Sequence, residues 1–245
     1  CGENEGLQAV MPTVDRTFVT YGFGENNDYQ VSNLHYEEGK LVYDAMHKGQ
    51  KVATIRLNVP GTHNALNSLA AFIMATHCGI PAEEVVKALS HFTGAKRRFE
   101  TKGHCAGVWV VDDYAHHPTE IAATLRAAKA LESHRVICAF QPHRYTRTSL
   151  LLKEFGHAFD AADLVFMTDI YSAGEDPIEG IDGHSIPDMI EKCTGRKVVY
   201  VPDIEKLPAA LKAVVQPNDL VITMGAGTIN QYGPKLLALL EEDMK

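Results

Sequence analysis

A cluster of side chains that could do chemistry follows a short apolar run near the middle of the sequence. The run 108–111 is typical of a buried strand. After it come two carboxylates, a phenol and two imidazoles: Asp112, Asp113, Tyr114, His116 and His117. An aspartate at a strand end can accept hydrogen bonds from ribose hydroxyls, and a histidine can orient a nucleophile or move its proton near neutral pH. This stretch is therefore our first candidate for a site.

A second cluster follows the next predicted strand, in the stretch 140–148. His143, Arg144 and Arg147 supply three potential cations there. Arg144 and Arg147 are three residues apart, so they face the same way if the turn is helical. Guanidinium groups bind carboxylates through paired hydrogen bonds. Because the cluster directly follows a buried strand, the pattern favours a carboxylate-binding site over a solvated run of charges.

Two further polar groups have roles that the residue types leave open. His63, Asn64 and Asn67 lie in the first turn of a predicted helix, where an asparagine can read an adenine edge or simply cap the helix. Capping is favoured if this group is taken alone. Arg97 and Arg98 can bind phosphate oxygens in a forked geometry. We expect this of one arginine and a surface position for the other.

Two loops near the predicted strand ends lack a clear chemical pattern. The stretch 169–175 combines glycine with acidic residues, which suits a mobile lid. Gly225 and Gly227 form a glycine turn before the last helix, and on its own such a turn indicates tight packing. The phosphate loop pattern G-x-x-x-x-G-K-[ST] does not occur in this sequence.

The elements that must position these residues predict an α/β fold. Strands are expected at about 105–112, 135–140, 163–168, 197–201 and 219–224, alternating with helices at about 118–132, 148–160, 185–193, 205–215 and 228–241. This alternation predicts a mostly parallel, Rossmann-like sheet that is covered on both faces. Before it come an irregular stretch (1–15), strands at about 17–21, 29–36, 40–45 and 51–59, a helix capped by Thr62 and a helix from Pro81. We place the domain boundary near residue 97, which gives domains 1–96 and 97–245.

Composition narrows the class of protein. The 245-residue chain has 45% hydrophobic and 22% charged residues, as is ordinary for a globular protein. Its net charge of −8 argues against broad electrostatic binding of nucleic acid or an anionic membrane, and no apolar run is long enough to span a bilayer. Five scattered cysteines without a C-x-x-C pair indicate reduced thiols and a cytoplasmic location. Because the first residue is Cys1, we expect the chain to be a piece of something longer.

Six stretches together resemble the Mur ligases of peptidoglycan synthesis. They are PGTHNALNSLAA (60–71), GAKRRFE (94–100), DDYAHHPTE (112–120), FQPHRYTRT (140–148), DIYSAGEDPIEGI (169–181) and MGAGTI (224–229). The resemblance implies a three-domain enzyme, with 1–96 as the end of the central ATP-binding domain and 97–245 as the C-terminal Rossmann-like ligase domain. It also implies that the phosphate loop, the Mg²⁺ ligands and the UDP-binding domain lie upstream, so that this chain alone is not catalytically competent.

The resemblance implies a role for each candidate residue. Six residues would contact the nucleotide, with Asn67 at the adenine, Arg98 at the phosphates and one aspartate at the ribose: His63, Asn64, Asn67, Arg98, Asp112 and Asp113. Five would bind the amino acid, the first two near its amine and the others at its carboxylate: Tyr114, His116, His143, Arg144 and Arg147. The catalytic candidates are Arg98, Tyr114 and His116, and no metal ligand is expected.

The resemblance is closest to the members that join L-alanine to UDP-N-acetylmuramate with ATP and Mg²⁺. The implied reaction forms an acyl phosphate, which the amine of L-alanine attacks. UDP-N-acetylmuramate, L-alanine and ATP are the expected partners of a monomer or homodimer that binds no nucleic acid and inserts into no membrane. The alternatives are a member that recycles a murein tripeptide and a non-catalytic nucleotide-binding module. A metal-dependent hydrolase built on His116, His117 and His143 is disfavoured, because no complete ligand set has suitable spacing.

Overall fold

The computed structural model describes residues 1–131 and 135–244. The chain divides into two compact units, Cys1–Gly94 and Ala95–Lys245, two residues before the boundary that the sequence predicts. Within the described ranges no helix is both long and apolar enough to cross a bilayer. The domain roles that the family resemblance implies stay predictions.

A four-stranded sheet forms the first unit's framework. Its strands are β1 (Tyr21–Gly22), β2 (Tyr29–Glu37), β3 (Lys40–His47) and β4 (Gln50–Leu57). β1 is parallel to β2, and the next three strands form an antiparallel meander. Glu38 and Gly39, with φ angles of 50° and 75°, make the tight hairpin turn that joins the predicted strands at 29–36 and 40–45. Of the predicted strand at 17–21, only Tyr21 is in a strand.

The helices of the first unit are α1 (Glu5–Val10), α2 (Thr62–His77) and α3 (Ala82–His91). The prediction of an irregular amino-terminal stretch is wrong, because Asn4 caps α1 by accepting a hydrogen bond from the Leu7 backbone N–H at 2.9 Å. The prediction that Thr62 caps the next helix is also wrong, because the cap residue of α2 is Gly61, which has a φ of 101°. Beneath α2, a buried hydrogen bond of 2.8 Å between the hydroxyls of Tyr43 and Ser68 joins this helix to β3.

The second unit is built on a six-stranded sheet. Its strands are β5 (Glu100–Cys105), β6 (Val108–Asp113), β7 (Arg135–Phe140), β8 (Leu164–Met167), β9 (Val199–Tyr200) and β10 (Asp219–Met224). They lie in the order β5-β6-β10-β7-β8-β9, with parallel pairing from β6 to β9 and an antiparallel edge strand β5. The prediction of a single strand at 105–112 is therefore wrong, because the chain turns at Ala106 and Gly107 and forms a hairpin of β5 and β6. The predicted Rossmann-like, mostly parallel sheet is confirmed.

Helices connect these strands. They are α4 (Pro118–Ala130), α5 (Tyr145–Leu150), α6 (Leu152–Phe155), α7 (Ser185–Thr194), α8 (Leu207–Lys212) and α9 (Tyr232–Glu242). α4 starts at Pro118 as predicted, and its predicted end at residue 132 lies outside the described residues. The single helix predicted at 148–160 is wrong, since α5 starts earlier and helical geometry breaks at Leu151. Short 3-10 turns precede α8 and α9, where the sequence predicts continuous helices.

Both faces of the second unit's sheet are covered. Val136, Cys138 and Phe140 of β7 lie in one core with α4, α6 and α7, while Ile137 and Ala139 lie in the other core with α8 and α9. The chain returns from β9 to insert β10 between β6 and β7. The loops after these strands therefore meet at the carboxyl edge of the sheet, where α/β proteins bind ligands.

We expect Leu125→Ala in α4 to lower the free energy of unfolding of the second unit by about 2–5 kcal/mol, because this side chain is fully buried. Leu150→Ala in α5 removes the same atoms from a residue that is 79% exposed, and should change that free energy by less than about 0.5 kcal/mol. Urea denaturation followed by circular dichroism measures both. Equal losses would contradict the packing described here.

Candidate functional site

Arg97 is the centre of a buried polar network between the ends of β6 and β10. Its Nε donates to the fully buried Asp112 carboxylate at 2.9 Å, and its Nη2 donates to the Gly225 carbonyl at 2.6 Å. The Thr223 hydroxyl donates to the other oxygen of Asp112 at 2.9 Å. Asp112 is therefore paired with protein groups, and a ribose contact from it stays a prediction.

Asp113 fixes two backbone segments, one at Phe99 and one at Ala115. Its carboxylate accepts hydrogen bonds from the backbone N–H groups of Phe99 and Ala115, each at 2.8 Å. Burial raises the pKa of the Asp113 carboxyl, although these two donors oppose the rise. A ribose contact from Asp113 also stays a prediction, because this carboxylate is buried and holds the Arg98 loop through Phe99.

Arg98 and Tyr114 are the accessible neighbours of these buried groups. The Arg98 side chain is 53% exposed, with a guanidinium nitrogen 4.0 Å from Glu120, and its Cζ lies 5.9 Å from the Tyr114 ring centre. Tyr114 is 36% exposed. The sequence expects one arginine to be available to phosphate and the other to lie on the surface. The structure leaves Arg98 available, and the expected surface position is wrong for Arg97.

His116 lies against Tyr114 with a defined tautomer. Its ring Nδ1 is 2.9 Å from the Tyr114 carbonyl oxygen. Because a carbonyl only accepts, Nδ1 bears the hydrogen and Nε2 has the lone pair when the ring is neutral. The His116 backbone N–H donates to Glu120 at 3.2 Å, and its ring centre is 6.3 Å from that of His143. The structure therefore brings together these two predicted histidines from different strand ends.

His143 and Arg147 form a hydrogen-bonded pair after β7. Arg147 Nη1 is 3.0 Å from His143 Nδ1 and 3.1 Å from the His143 carbonyl oxygen. Since a guanidinium only donates, Nδ1 accepts and the ring is neutral in this arrangement. Partial burial lowers the pKa of His143, and the charges of Arg147, His116 and Arg144 lower it further, while Glu175 opposes them.

Tyr171 and Glu175, in the loop after β8, are site residues that the sequence analysis does not single out. The Tyr171 ring stacks on His143 with ring centres 5.6 Å apart. Glu175 accepts a hydrogen bond from the Thr146 backbone N–H at 3.0 Å and lies 3.5 Å from Arg144. In the sequence, the only sign of a role for this loop is its glycine and acidic residues in the stretch 169–175. They predict a mobile lid, but they cannot show which neighbouring loop the stretch contacts.

The glycine turn after β10 allows close backbone approach. A Cβ atom at Gly225 would lie 2.7 Å from the Gln141 carbonyl oxygen, and one at Gly227 would lie 2.3 Å from the Gln141 side-chain oxygen. That side-chain oxygen accepts a hydrogen bond from the Ile229 N–H at 3.2 Å. The tight packing that the sequence predicts for this turn is confirmed.

His63, Asn64 and Asn67 lie in the first two turns of α2, in the first unit. Asn64 Nδ2 donates to the Pro60 carbonyl at 2.7 Å, so part of its role is to fix the loop before the helix. Asn67 is exposed, with its Nδ2 3.4 Å from Asn64 Oδ1, and His63 is half-buried. A nucleotide contact from these residues stays a prediction.

The three histidines of the metal-dependent hydrolase hypothesis, His116, His117 and His143, are not arranged as a ligand group. Among residues 1–131 and 135–244, no group of three or more His, Cys, Asp or Glu side chains is arranged to hold a metal ion. His117, one of the three histidines in that hypothesis, caps α4, where its Nδ1 accepts from the Thr119 N–H at 3.3 Å.

Comparison with known families decides the class of protein. The model of the "Mur ligase, glutamate ligase domain" matches residues 97–227, which is more than half of the chain, and that of the "Mur ligase middle domain" matches residues 4–75. The chain belongs to the Mur ligase family. The resemblance that its motifs predict is thereby confirmed.

Two curated relatives share the name UDP-N-acetylmuramate–L-alanine ligase. The chain is 42% identical to the UDP-N-acetylmuramate–L-alanine ligase of Anaeromyxobacter sp. over 98% of its own length and 52% of that protein. It is also 42% identical to the ligase of that name from Geobacter sulfurreducens, over 99% of the chain and 53% of that protein. The chain therefore spans about half the length of the curated relatives it matches.

Solved structures of Mur ligases share the fold. The UDP-N-acetylmuramate–alanine ligase MurC of Thermotoga maritima matches with a TM-score of 0.80 and 26% identity, over 99% of this chain and 51% of that one. The MurF ligase of Thermotoga maritima, in complex with ADP, matches with a TM-score of 0.73 and 17% identity, over 100% and 53% of the two chains. The second likeness shows the fold alone.

We expect Arg97→Met to lower the free energy of unfolding of the second unit by about 3–5 kcal/mol, because it leaves the Asp112 carboxylate buried without its charged partner. Arg98→Met, at the next residue, should change it by less than about 0.5 kcal/mol, since that side chain is half exposed. Chemical denaturation of the matched pair measures the difference. Equal stabilities would show that the Arg97 network contributes little.

The His143–Arg147 pair should make folding dependent on pH. The folded pKa of His143 is below its usual value of about 6.5, so between these two values the unfolded chain binds more protons. We therefore expect the free energy of unfolding to fall as the pH is lowered from about 6.5 towards the folded pKa. His143→Gln should remove this component, whereas His157→Gln, at an exposed histidine, should leave it in place. The same pH dependence in both variants would assign it elsewhere.

Proposed function

We propose that this chain contributes the nucleotide-binding and amino-acid-binding parts of a cytoplasmic UDP-N-acetylmuramate–L-alanine ligase. The observation on which this depends is the cation cluster after β7, which consists of His143, Arg144 and Arg147. It occurs in a chain that is 42% identical over nearly all of its length to ligases of that name. Residues 1–96 would belong to the ATP-binding domain and residues 97–245 to the ligase domain. ATP, L-alanine and UDP-N-acetylmuramate would be the substrates.

In this proposal the carboxylate of L-alanine binds to Arg147 and Arg144, with His143 beside them. Arg147 uses one nitrogen on His143, which orients the guanidinium and leaves its other N–H groups available. Arg144 is 49% exposed on its side chain, so it can reach a ligand from solvent. Bidentate pairing would fix the amino acid and set the direction from which its amine attacks.

The amine of L-alanine would approach Tyr114 and His116. The bond from Nδ1 to the Tyr114 carbonyl leaves His116 Nε2 as the basic nitrogen, so it can accept the proton that the ammonium group must lose. Tyr114 is exposed enough to contact the ligand and packs edge-on against the His116 ring at 5.3 Å. His116 is therefore proposed as the base and Tyr114 as a binding residue near the reacting amine.

The nucleotide contacts are proposed residue by residue. Asn67 is exposed at the start of α2 and would contact the adenine, with Asn64 and His63 beside it. Arg98 would pair with the phosphates and stabilise the charge that develops during phosphoryl transfer. A ribose contact would require Asp112 or Asp113, both buried, to become accessible, since each carboxylate oxygen can accept a further hydrogen bond.

The reaction would proceed in two chemical stages. The muramyl carboxylate attacks the γ-phosphorus of ATP, which gives an acyl phosphate and ADP; Mg²⁺ offsets charge on the phosphates in such transfers. We assign the metal to no residue of this chain, because the described residues contain no arranged set of ligands. The neutral amine of L-alanine then attacks the acyl carbon, and the tetrahedral intermediate expels phosphate. His116 takes the proton that the ammonium group loses before the attack, and the second proton of the attacking nitrogen leaves with the expelled phosphate.

Turnover by the protein expressed from its complete coding sequence tests this proposal. ADP release would be measured with ATP and UDP-N-acetylmuramate, offering L-alanine or the murein tripeptide in parallel. Release with L-alanine alone supports the proposal, and release with the tripeptide alone would assign the protein to recycling. Nucleotide binding without turnover on either substrate would favour the non-catalytic module.

We expect Arg147→Ala to raise the KM for L-alanine by at least roughly tenfold, because a charge-assisted hydrogen bond to the carboxylate is lost. The KM for ATP should not change. Arg126→Ala, the same substitution at an exposed position of α4, serves as the control. An unchanged KM for L-alanine in the Arg147 variant would remove this residue from the carboxylate site.

A further inference from the structure

The loop after β8 contacts the cation cluster after β7 through its backbone and two side chains. The Tyr171 N–H donates to the Pro142 carbonyl, and the Arg144 N–H donates to the Tyr171 carbonyl, both at 2.8 Å. We propose that Tyr171 and Glu175 are positioning residues, which hold His143, Arg144 and Arg147 in the arrangement that receives the amino acid. The inference depends on the proposed function only in naming the amino acid as the ligand.

Tyr171 fixes the plane of the His143 ring. The two rings are nearly parallel, with an interplanar angle of 21° and centres 5.6 Å apart. The Tyr171 ring also lies close to Gly227. A Cβ atom at Gly227 would be 3.0 Å from Tyr171 Cγ, so this glycine leaves the space that the ring needs. Tyr171 therefore links the loops after β7, β8 and β10. The phenol is 39% exposed, so the ring is not simply part of the core.

Glu175 fixes the start of the helix that presents Arg147. Its carboxylate accepts hydrogen bonds from the Thr146 N–H at 3.0 Å and from the Thr146 hydroxyl at 2.7 Å. The same carboxylate lies 3.5 Å from the Arg144 guanidinium. Thr146 is the second residue of α5, and Arg147 follows it. Glu175 therefore restrains both guanidiniums, one by direct ion pairing and the other through the backbone of α5.

Arg144 needs such restraint because its backbone is strained. It has a φ of 74°, in the left-handed region that disfavours residues with a Cβ atom. The hydrogen bond from its N–H to the Tyr171 carbonyl and the ion pair with Glu175 oppose relaxation of this backbone. Although the stretch 169–175 has the composition of a lid, opening it would release these contacts together.

The first test measures the titration of the His143 ring by NMR in the 245-residue chain. Partial burial is the main cause that lowers the pKa of this ring; the charges of Arg147, His116 and Arg144 lower it further, and Glu175 raises it. Glu175→Gln keeps a carbonyl oxygen for Thr146 but removes the charge, so the pKa should fall. Glu175→Ala removes the restraint, so Arg144 and Arg147 should move away and the pKa should rise towards its usual value of about 6.5.

Opposite shifts in the two variants support the positioning role. Shifts in the same direction, or no shift in Glu175→Ala, would overturn it. Glu179→Gln, at an exposed glutamate of the same loop, is the matched control for charge and should leave the titration unchanged. Tyr171→Phe should preserve the ring stack and the wild-type titration, whereas Tyr171→Ala should not. Circular dichroism of each variant verifies that it is folded.

The second test measures kinetics in the complete protein. Glu175→Ala should raise the KM for L-alanine by roughly tenfold without changing the KM for ATP. In Glu175→Gln the KM for L-alanine should stay close to that of the wild-type protein. An unchanged KM for L-alanine in Glu175→Ala would overturn the positioning role. If the wild-type protein does not use L-alanine, the proposed function has failed, and the His143 titration still decides the role of Glu175.

Discussion

Two neighbouring strands of the second unit end at one partly buried guanidinium, that of Arg97. Arg97 donates to the Asp112 carboxylate at the end of β6 and to the Gly225 carbonyl just after β10. These strands are parallel neighbours, so the loops that leave them start side by side. A buried charge without a partner is strongly unfavourable, and this ion pair holds only while both loops keep their places. The geometry of the candidate site depends on that constraint.

Consecutive residues around this network have different tasks. Arg97 is occupied by Asp112, while the side chain of Arg98 is half exposed. Asp113 holds two backbone N–H groups, while Tyr114 after it is exposed. A side chain that fixes the backbone cannot also approach a ligand freely. The buried residue fixes the backbone next to it. The accessible neighbour therefore projects from a fixed Cα position while its own side chain stays free to move.

Much of the second unit could be predicted, because buried parallel strands are continuous apolar runs that alternate with helices. β5 could not, since Glu100–Cys105 is mostly polar and becomes a strand only by pairing with β6. α1 could not either, because all its residues are exposed or nearly so and only the Asn4 cap marks its start. Within the site, His143, Arg144 and Arg147 are close in sequence and could be predicted together. Tyr171 and Glu175 could not, because their contacts require β8 to lie beside β7.

The charges in the stretch 143–147 limit what this site can bind. Three cations close together would attract a carboxylate but repel the ammonium group of a free amino acid. The structure reduces that repulsion twice, since His143 accepts from Arg147 and is therefore neutral, and Glu175 lies beside Arg144. One guanidinium charge remains without an acidic partner among these contacts, which is the charge that the proposed amino-acid carboxylate would balance.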